Sequence, residues 1–225
     1  MQLEFPASRR SAFTRIEVLC CIAAVAFLFI SLFLPKRGHD RSLRDQAECF
    51  ANLKQVVLAS ILWANDQEPH GFPWAVTNSP VFGSTNVARL FAAMSNELSI
   101  PRVLTCPADG ERRRNEAQTY ARLDNLGISY FIILDSPVPT DLDQPRHVVF
   151  GDRDIRGLAA PSYCTAAKIF APNVGGGQQT VWLGAIHERG GNVAYTDGSG
   201  DTRAVLGEVL ARSNSTCRVS HILVP

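Results

Sequence analysis

Hydrophobic and polar positions divide the chain into three regimes. The first is a nearly continuous apolar run from Val18 to Leu34, with one carboxylate, Glu17, at its head. Such a run predicts a helix that is apolar on every side, ended or kinked by Pro35. After a polar gap, apolar residues recur at three- and four-residue spacing: Leu43, Ala47, Phe50, Leu53, Val57, Ile61 and Ala64. That pattern predicts a second helix with one stripe laid on a core. The economical picture joins the two as one long kinked helix, its first half in lipid and its second half on a head. In the third regime, Asn65 to Pro80 carries Pro69, Gly71 and Pro73 and predicts a loop. Val87 to Leu98 predicts a short helix, with Asn86 as N-cap and Pro101 beyond. Ile128–Leu134 and His147–Phe150 predict strands, as do Val181–Leu183, Val193–Thr196 and Thr202–Leu206. The last two are joined through Asp197-Gly198, a step that favours a tight hairpin turn. Helices first and strands later, without β-α-β alternation, predict an α+β fold with an antiparallel sheet.

Composition narrows this picture. Across 225 residues, 46% apolar and 19% charged content suits a folded head with an apolar anchor rather than disorder. Twenty-two basic against 21 acidic side chains leave a net charge of +1 and no basic stripe, so no nucleic-acid partner is expected. Arg112 to Arg114 reads as a solvated loop. A cleaved secretory signal would have a shorter apolar core and a small-residue site after it, where this chain has Pro35-Lys36-Arg37. At 1.5 Å per residue the run reaches about 25 Å, slightly less than a bilayer core of about 30 Å, so Glu17 needs a membrane face or a partner. Arginines flank both ends. The short leader and long downstream domain therefore set the expected orientation, N-terminus cytoplasmic and head outside.

The segment Ala12-Phe13-Thr14, with Ile16, Glu17, Leu19 and the apolar run, resembles the N-termini of type IV prepilins and type II secretion pseudopilins. Ala12 stands where that family usually has Gly. Further along, Cys49 to Gln55 (CFANLKQ), Val103 to Asp109 (VLTCPAD), Ile128 to Phe131, Gly151 to Asp154, and His187 with Asp197-Gly198 are similar to pilin-like proteins of planctomycete and verrucomicrobial bacteria. The last of these matches their H-X9-DG signature. The resemblance implies a pilin-like α+β fold: a long N-terminal kinked helix, membrane anchor plus spine, packed on an antiparallel β-sheet head. It divides the chain into a leader (1–12), a transmembrane and assembly helix (13–35), an amphipathic spine helix (36–66) and a globular head (67–225). It also implies cleavage between Ala12 and Phe13 by a prepilin peptidase, N-methylation of Phe13, and a Glu17 carboxylate set against a neighbouring subunit's terminal amine. A buried carboxylate is tolerated when so paired. The implied function is a structural subunit assembled with other pilin-like subunits into a periplasmic pseudopilus or surface fibre, its precursor held single-pass in the inner membrane. The alternative is a membrane-anchored monomeric binding module for glycan, envelope or exported substrate.

Candidate chemistry is sparse. Cys20 and Cys21 lie in the apolar run, and Cys49, Cys106, Cys164 and Cys217 remain for the head. Four cysteines in an exported domain allow two disulfides in three pairings, with buried thiols as the alternative. No CxxC or paired-His spacing occurs, so neither a metal nor a cofactor is expected. Asp152, Asp154 and Asp197 offer oxygen ligands for calcium, but no D-x-D-x-D-G loop is present. The favoured reading has Asp197-Gly198 shaping a hairpin, with His187 bonding back to it. Ser199 follows Asp-Gly rather than sitting in G-x-S-x-G, and a thiol dyad of Cys106 or Cys164 with His147 or His187 has no motif behind it. No enzyme is expected. Trp63, Trp74 and Trp182 read as core rather than as a glycan-binding face.

Overall fold

A computed structural model describes residues 14–33, 37–138, 146–164, 167–174, 180–187, 190–204, 206 and 220–225. The chain forms two compact units, Met1–Asp40 and Arg41–Pro225.

The first unit contains helix α1 (Arg15–Phe33). Its start is a capping box. The Thr14 hydroxyl accepts the Glu17 backbone N–H at 3.4 Å, while the Thr14 N–H donates to the Glu17 carboxylate at 2.8 Å. Downstream the helix exposes its apolar side chains, including Leu19, Ile22, Val25, Phe27, Leu28, Phe29 and Ile30.

The second unit is built on an antiparallel sheet of seven strands in the order β4-β5-β9-β1-β2-β7-β8. These are β1 (Tyr130–Ile133), β2 (Val148–Asp152), β4 (Ala159–Cys164), β5 (Ile169–Val174), β7 (Gly191–Tyr195), β8 (Gly200–Ala204) and β9 (Ser220–Leu223). A two-stranded ribbon pairs β3 (Ile155–Arg156) with β6 (Val181–Trp182). Both faces of the sheet are covered. Tyr130 and Ile132 of β1 join Phe150, Phe72, Trp74 and Phe91 on one side. Phe131 and Ile133 point the other way, to Val148, Val193 and Ile222. Helix α2 (Arg37–Asn65) contributes Leu53, Val57 and Ala64 to the first core, and the short helices α3 (Val87–Ala92) and α4 (Ser95–Leu98) close its far side. Asn86 caps α3 as expected, accepting the Arg89 N–H at 3.1 Å.

Several expectations are corrected here. The pilin-like architecture, with one long kinked helix as anchor and spine, gives way to a mostly antiparallel seven-stranded sheet with α2 and the short helices α3 and α4 packed on it. Among the described residues the apolar run falls in α1 and the amphipathic stripe in α2. Among the described residues no helix is long and apolar enough to cross a membrane. That overturns the transmembrane helix, the membrane keywords and the single-pass inner-membrane placement. The physical reason is length: Arg15 and Glu17 occupy the first turn of α1, and Val18 to Phe33 rises only about 24 Å against a bilayer core of about 30 Å. The buried stripe of α2 is also displaced from the expected one, since Cys49, Val56 and Trp63 lie inward while Leu43 is 41% exposed. Strands β4 and β5 escaped notice because each carries a proline, Pro161 and Pro172, which weakens any strand reading.

Candidate metal centre

Four side chains from four different segments meet beside the sheet. Cys49 lies on the buried face of α2, one turn before Leu53. Cys106 follows a 3₁₀ turn, Pro101–Leu104, whose Leu104 carbonyl accepts the Ser129 N–H at 2.9 Å and so tethers it to the start of β1. Asp152 ends β2, directly across from Tyr130 in the ladder. His187 precedes β7 and is brought in by a close approach: a Cβ on Gly191 would lie 2.5 Å from the Trp182 ring, so only glycine lets the ribbon pack there.

The ligand-capable atoms of these four lie within 4.8 Å of one another, and all four residues are buried. The Cys49 thiol donates to Asp152 Oδ1 at 3.3 Å. Cys106 Sγ lies 3.5 Å from His187 Nε2, which is 3.5 Å from Asp152 Oδ2. Around them, Asp152 Oδ2 accepts the Asn192 backbone N–H at 2.6 Å, and Tyr130 donates its hydroxyl proton to the Cys49 carbonyl at 3.3 Å. The Asn192 amide nitrogen sits 3.2 Å from His187 Nε2, while its Oδ1 is buried with no partner among the described residues. An ion pair locks the frame. Arg153 donates to both oxygens of buried Asp109, at 2.8 and 3.0 Å, tying the Cys106-Pro107-Ala108-Asp109 turn to the end of β2.

Burial governs the electrostatics. It pushes the Asp152 carboxyl up to about 7, against the Asn192 backbone bond and the Cys49 bond, which both favour the charged form. It raises the Cys49 thiol well above its ordinary value and lowers His187. Burial thus favours the neutral forms of Cys49, Asp152 and His187, and with Cys106 they present two sulfurs, an imidazole nitrogen and a carboxylate oxygen to one point. A narrow recess too tight to admit a water molecule, lined by Asp154, Trp182, Ile186 and Gly190 among others, borders Asp152 and His187.

The residues singled out in the sequence distribute unevenly over this geometry. Cys49, Cys106 and Cys164 are thiols, and Cys217 lies outside the described residues, so no disulfide joins the three that are described. Ala12 and Phe13 also lie outside them. Glu17 is exposed, and its carboxyl is held below the usual range first by the Thr14 backbone N–H, then by the Thr14 hydroxyl. His187 bonds Cys106 and Asn192 rather than reaching back to Asp197. Asp197 instead accepts the Ser199 N–H at 2.8 Å and the Ser199 hydroxyl at 2.6 Å, closing its own turn. Asp154 accepts the N–H groups of Ala185 and Ile186 and so anchors the loop leading to His187. Of the three calcium candidates, only Asp152 faces the cluster, and its neighbours there are sulfur and nitrogen rather than the oxygens calcium requires.

A second cluster was not anticipated at all. Asp135 Oδ2 faces His221 Nδ1 at 2.8 Å, and His221 Nε2 faces the Ser162 hydroxyl at 2.8 Å. This is the hydrogen-bond order of a Ser-His-Asp triad. Its setting is that of a sheet brace. Ser162 lies within β4, paired with Ala171 of β5, and its oxygen already accepts the Asn173 amide at 3.1 Å. Asp135 also accepts the His221 backbone N–H at 2.6 Å and the Cys164 thiol at 2.9 Å, so the network stitches β4, β5 and β9 together.

No known protein family, curated protein or solved structure matches this chain.

Proposed function

We propose that the chain is a structural subunit that associates with copies of itself or with like subunits through α1, its folded head being a non-enzymatic body. The supporting observation is α1 itself. Its apolar side chains are exposed around the helix, Ile16 at 73% and Phe27 at 72%. A helix that is apolar on every side is stable only when covered. Burying Ile16, Leu19, Ile22, Val25, Phe27, Leu28, Phe29 and Ile30 is worth on the order of 10–20 kcal/mol gross. That is comparable with the cost of association, roughly 4–15 kcal/mol. Helix-to-helix assembly is also what the prepilin resemblance of Phe13 to Leu19 implies. In this reading Glu17 acts first as the N3 member of the capping box, fixing where the helix begins.

The test uses the two exposed thiols that α1 carries, Cys20 and Cys21. The full chain should run as oligomers in light scattering and crosslink through these cysteines on mild oxidation. Phe27→Glu should abolish both behaviours while leaving the head's melting temperature unchanged. A chain that stays monomeric at tens of micromolar, with no crosslink, rejects the assembly reading in favour of a monomeric binding module.

A further inference from the structure

We propose that Cys49, Cys106, Asp152 and His187 form a closed, four-coordinate zinc site that pins helix α2 and the Cys106 turn to the end of the sheet. This stands independently of the assembly reading, since all four residues belong to the second compact unit.

Spacing is the first argument. Zinc bonds of about 2.3 Å to sulfur and about 2.0–2.1 Å to nitrogen or oxygen place tetrahedral ligands about 3.3–3.8 Å apart. The measured separations are 3.3 Å for Cys49 Sγ to Asp152 Oδ1, 3.5 Å for Cys106 Sγ to His187 Nε2, and 3.5 Å for His187 Nε2 to Asp152 Oδ2. These three separations, taken through either oxygen of Asp152, fall in that range, and one ligand atom from each of the four residues lies within 4.8 Å of the others.

Donor chemistry is the second argument. Two sulfurs with one imidazole and one carboxylate suit zinc, whereas calcium and magnesium take oxygen shells. No fifth position is offered, because all four side chains are buried, which is the mark of a structural rather than a catalytic site. The surroundings also carry outer-shell support. The Asn192 N–H holds Asp152 Oδ2, and the Asp109–Arg153 pair fixes the Cys106 turn relative to Asp152. Asn192 Oδ1, buried beside the imidazole, has no donor among the described residues, which leaves the polar balance of this spot incomplete there.

The charge balance follows. Both thiols give their protons to solvent, the imidazole binds neutral, and the carboxylate binds ionised. A dication with three anionic ligands leaves the site at one net negative charge, opposed by the Asn192 N–H dipole. A Cys49–Cys106 disulfide would be the competing use of the sulfurs. It would leave Asp152 and His187 buried without their thiol partners.

The experiment uses the full chain, purified under reducing conditions, equilibrated with zinc and then desalted. One equivalent of zinc per chain should remain. X-ray absorption on the wild type should show two sulfurs near about 2.3 Å and two nitrogen or oxygen scatterers near about 2.0 Å. Cobalt in place of zinc should give the strong visible bands of tetrahedral thiolate ligation. Chelation should lower the melting temperature by at least about 8 °C, and zinc should restore it. Cys106→Ser and Asp152→Asn should lose the metal, whereas Cys164→Ser should keep it. The wild-type spectra decide the matter even if a variant fails to fold. Retention below a tenth of an equivalent, an absorption spectrum without sulfur, or a Cys49–Cys106 disulfide in the peptide map would each overturn the site.

Discussion

Arg153→Ala offers a sharp test of how the head is held together. The guanidinium donates from Nε to Asp109 Oδ2 at 2.8 Å and from a terminal nitrogen to Asp109 Oδ1 at 3.0 Å, a two-pronged contact. A further bond reaches Glu111 at 2.6 Å, but that carboxylate is 64% exposed and adds about 0–1 kcal/mol. Asp109 is different, with its side chain only 2% exposed. Deleting the arginine leaves it buried with only the Ser129 hydroxyl at 3.0 Å and the Arg112 N–H at 3.2 Å. Breaking one side of a buried pair costs about 3–5 kcal/mol, and the two surviving bonds and the partial exposure of Arg153 put the expected loss near the lower end, about 3 kcal/mol. For a unit of this size that lowers the melting temperature by roughly 6–12 °C. Chemical denaturation of the wild type, Arg153→Ala, Asp109→Ala and the double variant forms a cycle. The double variant should be less destabilised than the sum of the singles by at least about 1.5 kcal/mol. A loss below about 1 kcal/mol for Arg153→Ala, or additive effects in the cycle, would refute the claim that this pair fixes the Cys106 turn to β2.

Three further predictions are independent of that one. Asp197→Ala removes the acceptor for the Ser199 N–H and hydroxyl and should cost roughly 0.5–1.5 kcal/mol in denaturant melts, with or without added zinc; a zinc-dependent effect would place Asp197 in a metal site instead. Glu17 has a depressed pKa in the helix, so its support for α1 is present above the unfolded carboxyl value of about 4.3 and is lost as pH falls below it. Amide exchange at the first turn, corrected for intrinsic rates, should therefore speed up below that pH in the wild type and show no such step in Glu17→Gln. Ser162 should not react with a fluorophosphonate probe, since it is a brace between strands; stoichiometric labelling that requires His221 would make the Asp135-His221-Ser162 array catalytic.

The short-range features of the head were legible in sequence. Asn86 as a cap and Asp197-Gly198 as a turn both rest on local chemistry, and each is found: Gly198 has φ of +80°, the left-handed conformation glycine supplies without strain. The antiparallel character of the sheet also followed from the order of elements. What failed was length and phase. A stripe read from Leu43 through Ala47 and Phe50 captured Leu53, Val57 and Ala64 but missed Cys49, Val56 and Trp63, because helical periodicity fixes a face only to within part of a turn. The membrane reading failed for a related reason. Apolar composition marks a helix as needing cover without saying what covers it, and among the described residues no helix is long and apolar enough to cross a bilayer.

The site itself shows where reading along a chain gives out. Cys49, Cys106, Asp152 and His187 were each noticed, two as disulfide partners, one as a calcium ligand and one as half of a motif with Asp197, and the only pairing of thiol with imidazole among them, Cys106 with His187 as a dyad, was set aside for want of a motif. Spacing rules such as CxxC find metal sites whose ligands come in pairs on one loop. Here consecutive ligands are separated by 57, 46 and 35 positions, so no local signature exists. Only the fold makes them neighbours: the inward phase of α2, the turn after Leu104, the Tyr130–Asp152 register and the Gly191–Trp182 contact each deliver one. Four independent elements converging on one buried point leave each donor partly satisfied by the others and poorly solvated. A divalent ion bound there would satisfy all four together, which makes metal content the measurement that separates a coordination site from a hydrogen-bonded core.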